Sequence, residues 1–253
     1  MRRIALLTDF GTRDPYVAAM KGVIAARTDV PILDLTHEIA PYDVFGAAWF
    51  LRAVVPYWPA ETIFVCVVDP GVGSPRRIIA IEHQGQIFLA PDNGLLSLIP
   101  ATQIVSVENA SLLLPDNSDT FHGRDRFAPV AAALANGKAL AELGPRTDSI
   151  VQLRYEPPTY GDTVRGTIVS IDRFGNLITD IEAVRIPFAH FALEARGITV
   201  DRLERTYAGA APGAFLIVGS SGCIEISVAD DSAADRLQMR RLERVEVCRI
   251  DRR

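Results

Sequence analysis

Along the first third of the chain, apolar residues come in two rhythms. Arg3 to Leu7 (RIALL) and Pro31 to Leu35 (PILDL) are runs of strand length, and between them Val17, Met20 and Ile24 recur at helical spacing. The polar segment TDFGTRDPY precedes that helix, with Asp14 and Pro15 in the order of an N-cap and a first helical residue. Asp43 is placed to cap a second apolar helix reaching Val55. Thr62 to Val68 (TIFVCVV) is a continuous β-branched run, the pattern of a strand covered on both faces. Strands alternating with helices predict a layered, Rossmann-like α/β domain.

After DPGVGSPRR, strands are expected at 77–82 and 86–90, then a turn at Pro91-Asp-Asn-Gly94. A third helix should follow FHGRD, from Phe127 to Leu134, with Asn136-Gly137 closing it because glycine suits the left-handed C′ position. Residues 155–162 (YEPPTYGD) carry two prolines and a glycine and have little to bury. They are the expected linker between an N-terminal domain, 1–154, and a smaller C-terminal one, 163–253. Beyond the linker the texture changes to short strand-like runs at 164–171, 177–181, 215–218, 224–228 and 244–250, which predict a small β-barrel or sandwich. The mixed-sign stretch 235–244 reads as a solvated face.

Composition narrows the function classes. The 253 residues, 49% of them hydrophobic, suffice for one large or two modest domains with buried cores. Acidic residues outnumber basic ones, 31 to 26, for a formal net charge of −5, so there is no cationic surplus to neutralise a nucleic-acid backbone. Nucleic acid is not an expected partner. The three cysteines, Cys66, Cys223 and Cys248, are far apart and form no C-x-x-C pair, which argues against a disulfide framework or zinc knuckle and favours a reducing cytoplasm. The apolar run before Asp9 is too short for an export signal, and 44–51 falls well short of the roughly 20 residues that cross a bilayer. No membrane association is expected.

Three polar loops follow strands or precede helices: TDFGTRD, DPGVGSPRR and TFHGRD. Ligands of open α/β sheets bind at the carboxyl ends of strands, so these loops are the candidate site. Asp9 closely follows the first strand, where an acceptor-only carboxylate can take both hydroxyl hydrogens of a ribose diol or simply cap a turn. Gly71-Val-Gly73 matches neither a P-loop nor a G-x-G-x-x-G fingerprint. Asp69 and Arg76 flank a loop short enough to return the guanidinium to the carboxylate, as a reactive pair or an ordinary salt bridge. His122 precedes a helix, where imidazole can shuttle a proton or serve structure alone. None of His37, His83 and His190 has a partner at metal-ligand spacing, and no metal is expected. In the second half, Phe174-Gly-Asn176 reads as a turn whose Asn176 amide offers a donor and an acceptor to a purine edge. The GSSG segment, 219–222, offers hydroxyls and amides to a carboxylate or amine, or is a small-residue turn.

Taken together, TDFGTRDPYVAAMKG, LTHEIAPYDV, VVDPGVGSPRR, APDNGLL, TFHGRDRFAPVAA, IDRFGNLITDI and GSSGCIEI resemble the S-adenosylmethionine (SAM) hydrolase family, relatives of fluorinating and chlorinating enzymes that use the same substrate. The resemblance runs in order from Thr8 to about Val228. It implies an N-terminal α/β domain, a C-terminal β-barrel, and a homotrimer with its active sites between subunits. It places Asp9 on the ribose diol, Tyr42 beside the ribose, and Phe174 with Asn176 on adenine. Asp14, Asp172, Ser220 and Ser221 fall around the methionine amine and carboxylate. Asp69, Arg76 and His122 match the hydrolases' catalytic set, whereas the halogenases carry a tyrosine at the Asp69 position. Ser221 and Val228 stand where fluorinating relatives have arginines, and Gly123 where they have a halide-binding serine, although chlorinating relatives share that glycine.

The expected reaction is hydrolysis of SAM to adenosine and methionine, without a cofactor. Carbon C5′ beside a sulfonium is already activated, since sulfur departs as a neutral thioether, so the main requirement is a placed nucleophile. A halide would meet an unfavourable carboxylate at Asp69. The alternatives are a SAM-dependent chlorinase and a non-catalytic SAM or adenosine sensor.

Overall fold

The computed structural model describes residues 1–250 except residue 117; residues 251–253, the end of the expected C-terminal domain, lie outside the described residues. The chain separates into two compact units, Met1–Leu153 and the segment from Arg154 onward.

In the first unit the elements follow the order β1 (Arg3–Thr8), α1 (Tyr16–Ala25), β2 (Ile32–Thr36), α2 (Val44–Val54), β3 (Thr62–Val67), β4 (Ile78–His83), β5 (Gln86–Pro91), β6 (Gln103–Ser106) and α3 (Ala128–Ala135). The six strands form one sheet ordered β2-β1-β3-β5-β4-β6, in which β2, β1, β3 and β5 run parallel and β4 is antiparallel to both its neighbours. Successive side chains of a strand point to opposite faces, and both faces are apolar here. Ile4, Leu6, Ile63 and Val65 pack with Met20, Ile24 and Val130 of α1 and α3, while Ala5, Leu7, Phe64 and Cys66 pack with Ala47 and Leu51 of α2. All six residues of β3 are buried, and Phe64 stacks on Phe88 with centroids 4.6 Å apart.

Two local expectations change. The first helix begins at Tyr16 with Pro15 as its N-cap, and the exposed Asp14 does not cap it: the Pro15 carbonyl already accepts the first helical bond, from Ala19 N–H at 2.9 Å. Asp43, by contrast, does cap α2, accepting the Gly46 N–H at 2.9 Å. The turn at 91–94 does more than reverse the chain. Asp92 accepts from Arg77 Nε at 2.9 Å and from the Val151 amide at 2.7 Å, and Arg77 also donates to Thr147 Oγ1 at 3.0 Å, fastening the last residues of the unit to the sheet.

In the second unit β7 (Thr163–Ile171), β8 (Leu177–Glu182), β9 (Phe191–Ala195), β10 (Ile198–Val200), β11 (Leu203–Glu204), β12 (Ala214–Val218), β13 (Cys223–Val228), α4 (Ala233–Leu237) and β14 (Arg244–Arg249) follow in order. The sheet order is β10-β9-β14-β7-β8-β13-β12-β11, mostly antiparallel, and β10 packs back near β12, so the sheet curls into a half-barrel. Its concave core holds Val164, Ile168, Leu177, Leu193, Leu216, Ile226 and Val247. The stretch 235–244, expected as a solvated face, contributes the buried Met239 to that core, because α4 turns it inward through a left-handed Gln238.

Candidate active site

Because β1 and β3 are parallel neighbours in register, with Thr8 opposite Val67, the chain delivers Asp9 and Asp69 to the same edge of the sheet. This is the carboxyl-terminal edge, where open α/β sheets bind ligands. Burial pushes the Asp9 carboxyl above the ordinary carboxylate value, and the Asp69 charge adds to the rise, against a lowering hydrogen bond from the Tyr42 amide. That amide donates to Asp9 Oδ2 at 2.8 Å from a residue held at φ 67, and the Tyr42 side chain is 72% exposed.

Asp69 leaves the sheet just after β3 and Arg76 stands just before β4. The intervening loop turns through Gly73 at φ +81, where a Cβ would lie 2.9 Å from the Asp119 carbonyl oxygen. Only glycine allows this approach, and it brings the loop against the segment that carries His122. Arg76 Nε donates to Asp69 Oδ1 at 2.8 Å, and Arg76 Nη2 donates to Asp69 Oδ2 in a bidentate pair. The same Nη2 lies 2.7 Å from His122 Nδ1. A guanidinium has no acceptor, so His122 Nδ1 must be the bare nitrogen and the neutral ring carries its proton on Nε2. His122 is 2% exposed and, among the described residues, its Nε2 has no hydrogen-bond partner. Burial, then Arg126 and Arg76, hold the imidazole below its ordinary pKa, which keeps it neutral.

His122 caps a single π-helical turn, Gly123–Phe127, that runs into α3. The third helix therefore starts earlier than periodicity predicts, and the wide turn sinks Asp125 inward, where it accepts from the Ser118 amide at 2.7 Å. A Cβ on Gly123 would press within 3.1 Å of Met20 Sδ and Phe121 and within 3.2 Å of Phe10. Phe10, Tyr16 and Phe121 form an aromatic cluster here with centroids 5.1–6.0 Å apart.

The second unit holds a separate group. Asp172 Oδ1 accepts the amides of Phe174 and Asn176, and its Oδ2 accepts Asn176 Nδ2, each at 2.9 Å. These bonds fix the turn, with Gly175 at φ +84, and fix the orientation of the Asn176 amide. Phe174 is 77% exposed. Both residues line a cavity of about 660 Å³ together with Tyr207, Val228 and Asp230. Ser220 and Ser221 are exposed in the tight β12–β13 turn, and among the described residues their hydroxyls have no partner. Asp14 is exposed in the first unit.

Sequence reasoning passed over several residues. Tyr207 donates to the buried Glu225 at 2.8 Å; burial, that bond and the Asp172 charge push the phenol up to about 12. Burial and Asp172 also raise the Glu225 carboxyl. The signal was present, a glutamate at a buried position in the apolar run CIEIS. His37, considered only as a metal ligand, is buried against Thr8 and Asp34. Among the described residues no group of three His, Cys, Asp or Glu is placed to hold a metal ion, and no helix is long and apolar enough to cross a membrane.

Residues 4–144 match the sequence profile of the SAM hydroxide adenosyltransferase N-terminal domain, and residues 166–246 match that of the C-terminal domain. The chain belongs to the SAM hydroxide adenosyltransferase family. It is 36% identical to the (R)-S-adenosyl-L-methionine hydrolase of Thermus thermophilus, over 95% of this chain and 97% of that protein. A fluorinase from an Actinoplanes species is 29% identical over 70% of this chain and 71% of its own. Among solved structures, an uncharacterized conserved protein from Thermotoga maritima superposes with a TM-score of 0.90 at 32% identity, covering 97% of this chain and all of that one.

Proposed function

We propose that this protein is a SAM hydrolase in which Asp69, Arg76 and His122 place and activate a water against C5′ of the substrate ribose. The observation that carries the mechanism is the shared Arg76 Nη2, which donates to both the Asp69 carboxylate and His122 Nδ1. Asp69 uses one lone pair on each oxygen for Arg76 and keeps others for a water proton. Arg76 stabilises the negative charge that grows on the water oxygen as that proton leaves. The His122 Nε2–H, buried and unpartnered, is the donor that fixes the same oxygen. Water attacks C5′, the C5′–S bond breaks with its electron pair going to sulfur, and the products are adenosine, methionine and one proton released through Asp69.

Binding follows the same reading. Asp9 holds the ribose diol with Tyr42 beside it, Phe174 stacks on adenine, and the fixed Asn176 amide pairs with an adenine edge. Asp172 retains one lone pair for the methionine ammonium, with Asp14, Ser220 and Ser221 completing that end. The Thermus relative is named for the (R) sulfonium epimer, and we extend that preference to this chain. The reading also carries a Rossmann-like first domain, a β-barrel second domain, a cytoplasmic setting, no cofactor, and a homotrimer whose sites are completed by a neighbouring subunit. The exposed Tyr42 and Phe174 are what such a neighbour and the substrate would cover.

Incubation of (R)-SAM in oxygen-18 water without halide is expected to give adenosine labelled at the 5′ oxygen. Formation of 5′-chloro-5′-deoxyadenosine on adding chloride would make the protein a chlorinase, and calorimetric binding with no product over hours would make it a sensor.

A further inference from the structure

Behind the Asp9 loop runs a line of polar side chains in hydrogen-bond and ion-pair contact that the proposed reaction does not use. Lys21 Nζ donates to Asp34 Oδ2 at 2.6 Å, and Asp34 Oδ1 lies 3.0 Å from His37 Nε2. His37 Nδ1 is 2.8 Å from Thr8 Oγ1, which also accepts the Phe10 amide at 3.2 Å. Asp34 Oδ1 and His37 Nε2 meet at ion-pair distance without the alignment of a hydrogen bond, whereas His37 Nδ1 and the Thr8 hydroxyl share one. The Thr8 oxygen, bonded inward to that nitrogen, also takes the Phe10 N–H.

His37 acts on the loop a second time, through its main chain: its carbonyl accepts the Gly11 amide at 2.7 Å. The ladder between β1 and β2 ends at Leu7 and Thr36, so none of these contacts is needed to pair the strands. They fall on the two amides that immediately follow Asp9. Thr8 is fully buried and His37 is 5% exposed, so no water competes for the bonds. Lys21 and Asp34, partly exposed, form the outer end of the line.

We infer that His37, acting through Thr8 and backed by Asp34, is a positioning residue that holds the Asp9 carboxylate in the orientation a ribose diol requires. This inference rests on the proposed role of Asp9. None of the three residues touches substrate; what they set is the difference in affinity between a ligand with the diol and one without it.

The test is calorimetric binding of adenosine and 2′,3′-dideoxyadenosine to the full-length protein and its variants. Thr8→Val is expected to weaken adenosine about tenfold and dideoxyadenosine less than about twofold, with kcat at saturating SAM within about threefold of wild type. Thr8→Ser, which keeps the hydroxyl, should restore the preference. His37→Leu should behave as Thr8→Val does, whereas in His37→Asn the amide reaches the Nδ1 position and the loss should be smaller. An unchanged preference for adenosine in Thr8→Val and His37→Leu overturns the inference, and so does an equal weakening of both ligands, the mark of a merely structural role. If these buried variants do not fold, Asp34→Asn at the outer end should still reduce the preference about two- to threefold, and no reduction overturns the inference. A wild-type protein that binds both ligands equally refutes the role of Asp9 itself, and the relay's purpose falls with it; an Asp9→Ala control separates the two failures.

Discussion

In the first unit Asp69, Arg76 and His122 share their hydrogen bonds, and the Asp69 and Arg76 side chains are only 5% and 10% exposed. In the second unit Phe174 stands 77% exposed beside an open cavity, and only Asn176 and its Asp172 anchor are tightly held. The difference fits the roles proposed for the two regions. Groups that stabilise developing charge are worth most where water is excluded and where they need not reorganise during the reaction. A wall that takes up a flat base has to be reachable, and it gains by being covered only when the ligand arrives. On the proposed reading, the region of the trio serves rate and the region of Phe174 recognition.

The contrast is easiest to break at the trio. Asp69→Asn removes the acceptor while keeping the shape, and turnover is expected to fall about 10²- to 10⁴-fold with adenosine affinity little changed, as single-turnover kinetics beside calorimetry would show. Asn176→Ala should do the reverse, raising the adenosine Kd by about 10- to 100-fold while kcat at saturation holds; a loss confined to kcat would erase the distinction between the regions. The smallest effect concerns pH. His122 is held below its ordinary value of 6.5, so between that lowered value and 6.5 the unfolded chain binds more protons than the folded one. Stability therefore rises with pH across this window and levels off above it. Urea unfolding followed from about pH 5 to 8 should show that slope in the wild type and a flatter one in His122→Asn.

Much of the first unit was legible because local rules and tertiary packing agree there. The unbroken run at Thr62–Val67 became the fully buried β3, and Asp43 capped α2. Asp69 and Arg76 were legible as a pair because six intervening residues with two glycines make a returning loop. His122 was not, since 46 residues separate it from Arg76 and only the resemblance joined them. In the second unit β9, β10 and β11 escaped notice: Glu194, Arg196, Asp201 and Arg202 interrupt the apolar pattern, and their pairing is set by distant strands such as β14. His37 escaped for a related reason, because its partner Thr8 lies on another strand, although the Asp34–His37 spacing was visible.

The π-helical turn after His122 has a consequence for how this segment tolerates change in length. A π-turn holds one residue more than the α-helical turn it replaces, so deleting a single residue from 123–127 would let α3 continue upstream as a regular helix with the buried residues of 128–134 in place. Everything on the N-terminal side would then be rotated by about 100° around the helix axis. Such a deletion would keep α3 while moving His122 away from Arg76. At this point of the chain, an insertion or deletion would separate relatives that share the architecture from those that share the chemistry.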